Sequence, residues 1–182
     1  MEYNRALVIV KFLQKVIIML ILGIDPGYGI TGYGAIELKE GKLSLLEYGI
    51  VTTPAKIPFC ERLSLIYEKM TKIIEKIKPD VMVIEKLFFK NNQKTAIDVA
   101  QARGVILLCG KNSEVQIEEF TPLQVKMIIT GYGRAKKNQI MGTVKNILEL
   151  SDVPKPDDAA DAVALAICYA KKIVESNGVN TT

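Results

Sequence analysis

The chain contains no histidine and no tryptophan among its 182 residues. The lack of histidine removes the usual general base of enzymes and excludes Ser-His-Asp and Cys-His catalysis. Three cysteines, Cys60, Cys109 and Cys168, lie far apart without paired spacing, so a zinc site and a disulfide framework are both poorly supported. An enzyme of this composition has to use carboxylates, lysines or metal-bound water.

Long apolar runs are scarce as well. The stretch Val16 to Ile24 follows several basic residues, as in a signal peptide, but it is shorter than the about 20 residues that span a membrane. It continues into Asp25-Pro26-Gly27 without a small-residue cleavage site. We therefore interpret Met19 to Ile24 as a buried strand and expect a cytoplasmic protein with no membrane association.

The remaining composition is that of one soluble globular domain. The chain is 49% hydrophobic and 24% charged, with a formal net charge of +4, which is compatible with a polyanionic partner without establishing one. We predict an N-terminal extension over residues 1–18, with Met19 as a candidate native start. A single domain over residues 19–174 and a flexible tail over residues 175–182 complete the predicted organisation.

The order of the predicted elements indicates the fold class. A first strand is followed by a hairpin that turns at Glu40-Gly41, and helices then alternate with two further strands. This order is typical of an α/β protein with a mixed sheet. The other predicted segments are a helix up to Pro79, strands ending at Glu85 and Phe120, and helices over Thr95 to Cys109, Thr121 to Ile129, Lys136 to Leu150 and from Asp157 onward.

Acidic residues stand where this topology gathers functional groups. Asp25 ends the first strand and Glu85 ends the fourth, and parallel neighbours would set both at one edge of the sheet. Asp157, Asp158 and Asp161 open an apolar helix on which Asp158 and Asp161 share a face, as Asp157 and Asp161 can too. Helix capping and turn formation are the ordinary explanations of such acids, so each position alone is a weak signal.

The joint placement of the acids favours a metal site. Several carboxylates without a basic partner repel one another and do not all stay ionised unless a cation lies among them. Oxygen ligands select Mg²⁺ or Mn²⁺, and two such ions about 3.5–4 Å apart support phosphodiester hydrolysis without a histidine base. We assign Asp157 to helix capping and predict that Asp158 and Asp161 face Asp25 and Glu85.

Five segments have a characteristic order and spacing. They are "ILGIDPGYGITGYG", "VMVIEKLFF", "QARGVILL", "TPLQVKMIITGYGRAKKNQI" and "DDAADAVALAI". Together they resemble the RuvC family of Holliday junction resolvases, within the RNase H-like superfamily. The resemblance implies a five-stranded mixed sheet flanked by helices. It also implies a metal-dependent endonuclease that nicks two strands of a four-way DNA junction symmetrically, in recombination and repair.

The resemblance further implies the roles of the acids. Asp25, Glu85, Asp158 and Asp161 match the family's catalytic residues, which bind two divalent ions per active site. The expected ion is Mg²⁺, with Mn²⁺ as a substitute. Tyr28 departs from the Ser or Thr that the family often carries at this position, which places one local polar contact in doubt.

Basic residues indicate where DNA would bind. The segment "GYGRAKK" collects Arg134, Lys136 and Lys137 beside glycines, and Lys126 lies one helix earlier. Such cations can follow phosphates, although a solvated loop is the alternative from charge alone. In the family that the chain resembles, lysines matching Lys126 and Lys137 contact DNA near the active site.

Aromatic residues and partners complete the expectation. Phe88 and Phe89 follow Glu85, and core packing is the usual fate of such side chains. The family, however, places an aromatic matching Phe88 against an unstacked base, by the stacking typical of single-strand sites. The resemblance also implies a homodimer formed through the helix around Thr95 to Cys109, and RuvA and RuvB as partners.

Two other classes of function stay open at this point. A phosphotransferase of the actin and hexokinase type has a similar loop after its first strand, but it pairs two such folds and needs a second phosphate loop. A non-catalytic junction-binding protein would keep the basic loop and lose one of the four acids. Measurements of ATPase and junction-nicking activity distinguish these classes from a nuclease.

Overall fold

The structure is a computed structural model that describes residues 18–87 and 93–176. Within these ranges the chain forms five strands and five helices. In chain order they are β1 (Ile18–Asp25), β2 (Ile30–Lys39), β3 (Lys42–Thr52), α1 (Phe59–Ile77), β4 (Val81–Glu85), α2 (Gln93–Asn112), β5 (Gln116–Phe120), α3 (Pro122–Thr130), α4 (Lys137–Ile147) and α5 (Asp157–Ser176).

The strands form one mixed sheet in the order β3-β2-β1-β4-β5. The first three strands are antiparallel neighbours, whereas β4 runs parallel to both β1 and β5. The hairpin turns at Glu40 and Gly41, whose φ angles of 52° and 79° are both positive, as a tight hairpin turn requires. The predicted mixed-sheet fold class is confirmed.

Several predicted boundaries were wrong by a few residues. Helix α2 extends beyond the predicted Thr95 to Cys109 at both ends, and α4 is shorter than predicted because Glu149 adopts a left-handed φ of 52° soon after its end. Ile18 already belongs to β1, so it is not part of an extension. Residues 175 and 176 belong to α5, so they are not part of a tail. Residues 1–17 and 177–182 lie outside the described ranges.

Helices cover both faces of the sheet. Successive side chains of a strand point to opposite faces, and in β4 the residues Val81 and Val83 pack in the apolar cluster that contains α5. Met82 and Ile84 pack instead in the cluster that contains α1 and α2. None of the helices within residues 18–87 and 93–176 is long and apolar enough to cross a membrane.

Helix α5 lies directly on β1 and β2, with glycine at the points of contact. A Cβ atom at Gly23 would collide with the carbonyl oxygen of Ala162, and one at Gly32 would collide with that of Asp158. Small helix residues contribute to the same close approach, since α5 is buried almost throughout Ala159 to Ala170. The glycines therefore fix how closely the helix backbone approaches the sheet.

We expect Gly32→Ala to destabilise the protein by about 1–3 kcal/mol, because the added methyl group meets a helix backbone that is fixed by the core. Gly142 offers a matched control, since it lies inside α4 with no atom within 4 Å of an added Cβ. Gly142→Ala should be neutral or stabilising by up to about 1 kcal/mol. Urea unfolding of both variants measures the difference, and equal stabilities would contradict the close-contact interpretation.

Candidate active site

Two acidic side chains lie next to each other where the central parallel strands end. Ile24 of β1 is in register with Ile84 of β4, and each strand ends one residue later, at Asp25 and Glu85 respectively. Because the strands are parallel, both carboxylates project at the same edge of the sheet. The structure thus brings together the first two predicted site residues.

The N-terminal turns of α5 cross the same edge. The Asp158 backbone lies against Gly32 of the neighbouring strand β2, and Asp161 follows one turn later. A cleft of about 250 Å³ opens between this helix and the strand ends. It is lined by Asp25, Glu85, Pro122, Val125, Lys126, Lys137, Ile140, Asp161, Ala164 and Leu165.

The acids of the cleft perturb one another. The pKa of Asp25 is raised from its ordinary 3.8 to about 7, mainly by burial and then by the charges of Glu85, Asp161 and Asp158, while Lys137 lowers it. Burial likewise raises the pKa of Glu85, again with a contribution from Asp161. Asp158 does not line the cleft, but its charge contributes to the shift of Asp25, so all four predicted acids interact electrostatically.

Lys137 is a basic partner that the sequence analysis did not assign to the acids. Its Nζ lies 2.8 Å from Oδ2 of Asp161 and 3.1 Å from Oδ2 of Asp157. Burial lowers the pKa of Lys137, but these two carboxylates raise it by more. Asp157 lies in the first turn of α5, at the helix start to which it was assigned, and it also shares the Lys137 ammonium group with Asp161.

The donor set of the cleft fits a hard divalent cation. Its acidic ligands are all carboxylates, the donors that Mg²⁺ and Mn²⁺ prefer, and their mutual repulsion is the condition that a bound cation relieves. As the side chains stand, no three of the acids converge on one point within the described residues, and Asp161 is turned toward Lys137. Binding of an ion by Asp161 would therefore have to replace this ion pair.

Residues that the sequence analysis missed hold the loop after Asp25. The Thr53 hydroxyl donates to the carbonyl oxygen of Tyr28 at 2.6 Å, and Arg62 Nη2 donates to the same oxygen at 3.2 Å. The Arg62 guanidinium also lies 4.6 Å from the centre of the Tyr28 ring, a cation–π contact. Tyr28, noted above as a departure from the family pattern, thus receives a polar contact from a distant helix.

Arg103 performs a comparable task at the end of β4. Its Nε donates to the backbone carbonyl of Glu85 at 3.0 Å, and its guanidinium pairs with Glu119 of β5. Arg103 lies between Ala102 and Ile106, which are both fully buried. A charged residue within such an apolar segment of α2 is the signal that could have identified it, since a charge there needs partners.

The predicted DNA-binding residues lie in different surroundings. Lys126 is half-buried and lines the acidic cleft, whereas Arg134 and Lys136 are exposed in the connection between α3 and α4. Phe88 and Phe89 lie outside the described residues. Lys126 and Lys137 therefore line the cleft, and Arg134 and Lys136 lie in the connection that leads to Lys137. Contact of these residues with DNA stays a prediction.

The fold and the cleft define a class of protein. A five-stranded mixed sheet with acids at the ends of its central parallel strands, and further acids on a helix across that edge, is the arrangement of RNase H-like nucleases. The family model described as "Crossover junction endodeoxyribonuclease RuvC" matches residues 21–169. The chain belongs to the RuvC family, and its activity is that of an endonuclease acting on crossover junctions in DNA.

Individual relatives agree with this assignment. A crossover junction endodeoxyribonuclease RuvC from Halothermothrix orenii is 52% identical over 151 residues, which cover 83% of this chain and 92% of the relative. The Thermus thermophilus RuvC structure has a TM-score of 0.80 at 29% identity, covering 87% of this chain and 97% of that one. T. thermophilus RuvC in complex with Holliday junction substrate has a TM-score of 0.78 at 28% identity, covering 86% and 96%.

The raised pKa of Asp25 predicts a pH-dependent cost in stability. The unfolded chain releases this proton near its ordinary pKa of 3.8, but the folded protein keeps it until about pH 7. The free energy of unfolding therefore falls by up to about 4 kcal/mol as the pH rises from 4 to 7. In chelator-containing buffer, Asp25→Asn should melt at a higher temperature than the wild type at pH 8, with the difference shrinking toward pH 4.

The exposed residue Asp152 provides the control for this measurement. The free energy of unfolding of Asp152→Asn should stay within about 0.5 kcal/mol of the wild-type value at every pH, as expected for a surface substitution. If Asp25→Asn follows the wild-type curve at all pH values, Asp25 does not carry the electrostatic cost described here.

Proposed function

We propose that the acidic cleft cuts phosphodiester bonds in four-way DNA junctions, with Asp25, Glu85, Asp158 and Asp161 as its catalytic residues. The single observation that carries this proposal is the gathering of these carboxylates at one sheet edge, in a chain that has no histidine. The sheet topology and the neighbouring lysines support the same conclusion.

The family is one of divalent-metal-dependent nucleases, and we propose Mg²⁺ as the ion, two per active site, with Mn²⁺ able to substitute. The four acids would hold the ions. Bound divalent ions would supply Lewis acidity toward a phosphate oxygen and would lower the pKa of water. The protein supplies the carboxylates, Arg62 holds the loop that follows Asp25, and Arg103 holds the end of β4 that carries Glu85.

The lysines of the cleft supply positive charge for the substrate. Lys126 and Lys137 both line the cleft, so each can hold a phosphate oxygen beside the acids and orient it for attack. Lys137 pairs with Asp161 in the structure, and a phosphate would compete with Asp161 for it. Arg134 and Lys136 are exposed and extend this positive surface along the backbone of the DNA.

A two-fold substrate favours a two-fold enzyme, and we propose a homodimer that nicks two strands of the junction symmetrically. Helix α2 supports this, because Ile97 is 66% exposed and Leu108 is 52% exposed, an unusual exposure for large apolar side chains on one helix. We also propose that Phe88 and Phe89 stack on DNA bases. The protein would act in the cytoplasm and cooperate with RuvA and RuvB in recombination and repair.

Nicking of an end-labelled four-way junction tests the function. We expect symmetric cuts with Mg²⁺ and none with a chelator. The cutting rate of Asp25→Asn should fall at least about 100-fold, because loss of a metal ligand should cost at least as much activity as loss of a residue that only orients a ligand. Junction binding by Asp25→Asn should persist, since the positive side chains that attract DNA are unchanged. Asp152→Asn is the matched control and should cut normally.

The outcomes separate the candidate functions. Junction binding without cutting by the wild type would favour a non-catalytic binding protein, and ATP hydrolysis without cutting would favour the phosphotransferase. Undiminished cutting by Asp25→Asn would remove Asp25 from the proposed metal site.

A further inference from the structure

Three large apolar side chains are exposed together beside the acidic cleft. On α3, Leu123 is 61% exposed and Met127 is 49% exposed, and Tyr132 in the following connection is 55% exposed. Leu123 and Met127 are four residues apart and share a helix face. Gly133 lies against both, since a Cβ atom there would be 2.8 Å from Leu123 Cδ1 and 3.3 Å from Met127 Sδ. We call these three exposed side chains the α3 platform.

The backbone under Tyr132 is held by hydrogen bonds. Gly131 takes a left-handed φ of 72° and its N–H donates to the Met127 carbonyl at 2.8 Å. The Tyr132 N–H donates to Thr130 Oγ1 at 3.2 Å, and the Tyr132 carbonyl accepts from the Ala135 N–H at 3.0 Å. Hydrogen bonds therefore fix the backbone on both sides of Tyr132, and the residue is 55% exposed.

The α3 platform lies next to the residues proposed for cutting. The adjoining face of α3, with Pro122, Val125 and Lys126, lines the acidic cleft. The connection that carries Tyr132 leads to Lys137 at the start of α4, which pairs with Asp161 in the same cleft. The platform therefore lies on α3, which carries Lys126, and on the connection that leads to Lys137, so it adjoins the cleft that both lysines line.

We propose that the α3 platform binds an unstacked nucleobase of the junction, beside the phosphate to be cut, with the Tyr132 ring as the stacking surface. This inference rests on the proposed function. An aromatic ring with apolar neighbours matches the face of a base, and the exposed cations Arg134 and Lys136 on the same connection match the flanking phosphates. A fully paired duplex covers its base faces, so the platform favours branched or opened DNA.

The test compares Tyr132→Leu with Tyr132→Phe. Stacking needs the ring and not the hydroxyl, so Tyr132→Phe should bind a four-way junction as the wild type does, while Tyr132→Leu should bind about five- to fifty-fold more weakly. Affinity for a duplex of the same sequence should not change. Tyr67→Leu is the control, since Tyr67 is 40% exposed on α1, on the opposite face of the sheet.

Two further readouts distinguish stacking from other effects. The salt dependence of junction binding should keep its slope in Tyr132→Leu, because no charge is lost, whereas Lys136→Ala should lower the slope by about one phosphate contact. With 2-aminopurine next to the cut, emission from the complex should be higher for Tyr132→Leu than for the wild type, because the base lacks its aromatic cover.

Each outcome supports or overturns the proposal. Equal junction affinity and equal 2-aminopurine emission for Tyr132→Leu and the wild type would overturn it, while normal cutting by the wild type would leave the proposed function intact. Equal weakening on junction and duplex would show a general backbone contact and also overturn it. A change in the monomer–dimer equilibrium of Tyr132→Leu, with unchanged DNA binding, would identify the platform as a contact between copies of the chain.

Discussion

The close approach of α5 to β1 and β2 is the contact on which the site depends. Glycine at positions 23 and 32 lets the helix backbone lie against the strands, so the position of Asp158 and Asp161 is set by contacts involving backbone, which are stiffer than contacts between flexible side chains. The same strand β1 ends in Asp25. One packing contact thus brings acids from opposite ends of the chain to a single edge of the sheet.

The buried acids of the site destabilise the folded protein electrostatically. Burial and mutual repulsion raise the pKa of Asp25, Glu85 and Asp161 together, and Lys137 offsets only part of that cost. Sites that bind cations or substrates commonly carry such a cost, because the groups are arranged for a ligand and not for the ligand-free protein. The apolar layers on both faces of the sheet supply the stability that tolerates it.

Much of the fold and part of the site could be predicted from local sequence signals. The adjacency of Asp25 and Glu85 follows from two buried strands that each end in an acid. The sequence Thr121-Pro122-Leu123-Gln124 is typical of a capping box, and such a box starts α3, with Gln124 N–H donating to Thr121 Oγ1 at 3.1 Å. The partners of Lys137, Arg62 and Arg103 could not be predicted, because each contact joins residues that are distant in sequence. Which residues meet depends on how the helices pack against the sheet. Exposure of Tyr132 likewise depends on the final packing of α3.

The ion pair of Lys137 has a consequence for the speed of DNA association. A cleft lined with three acids would repel an approaching polyanion, but Lys126 and Lys137 lie among those acids and bring the charge of the cleft close to balance. The long-range field that DNA meets is then set by the exposed cations outside the cleft, which attract it. The chain can keep acidic chemistry at its centre without raising an electrostatic barrier to the encounter.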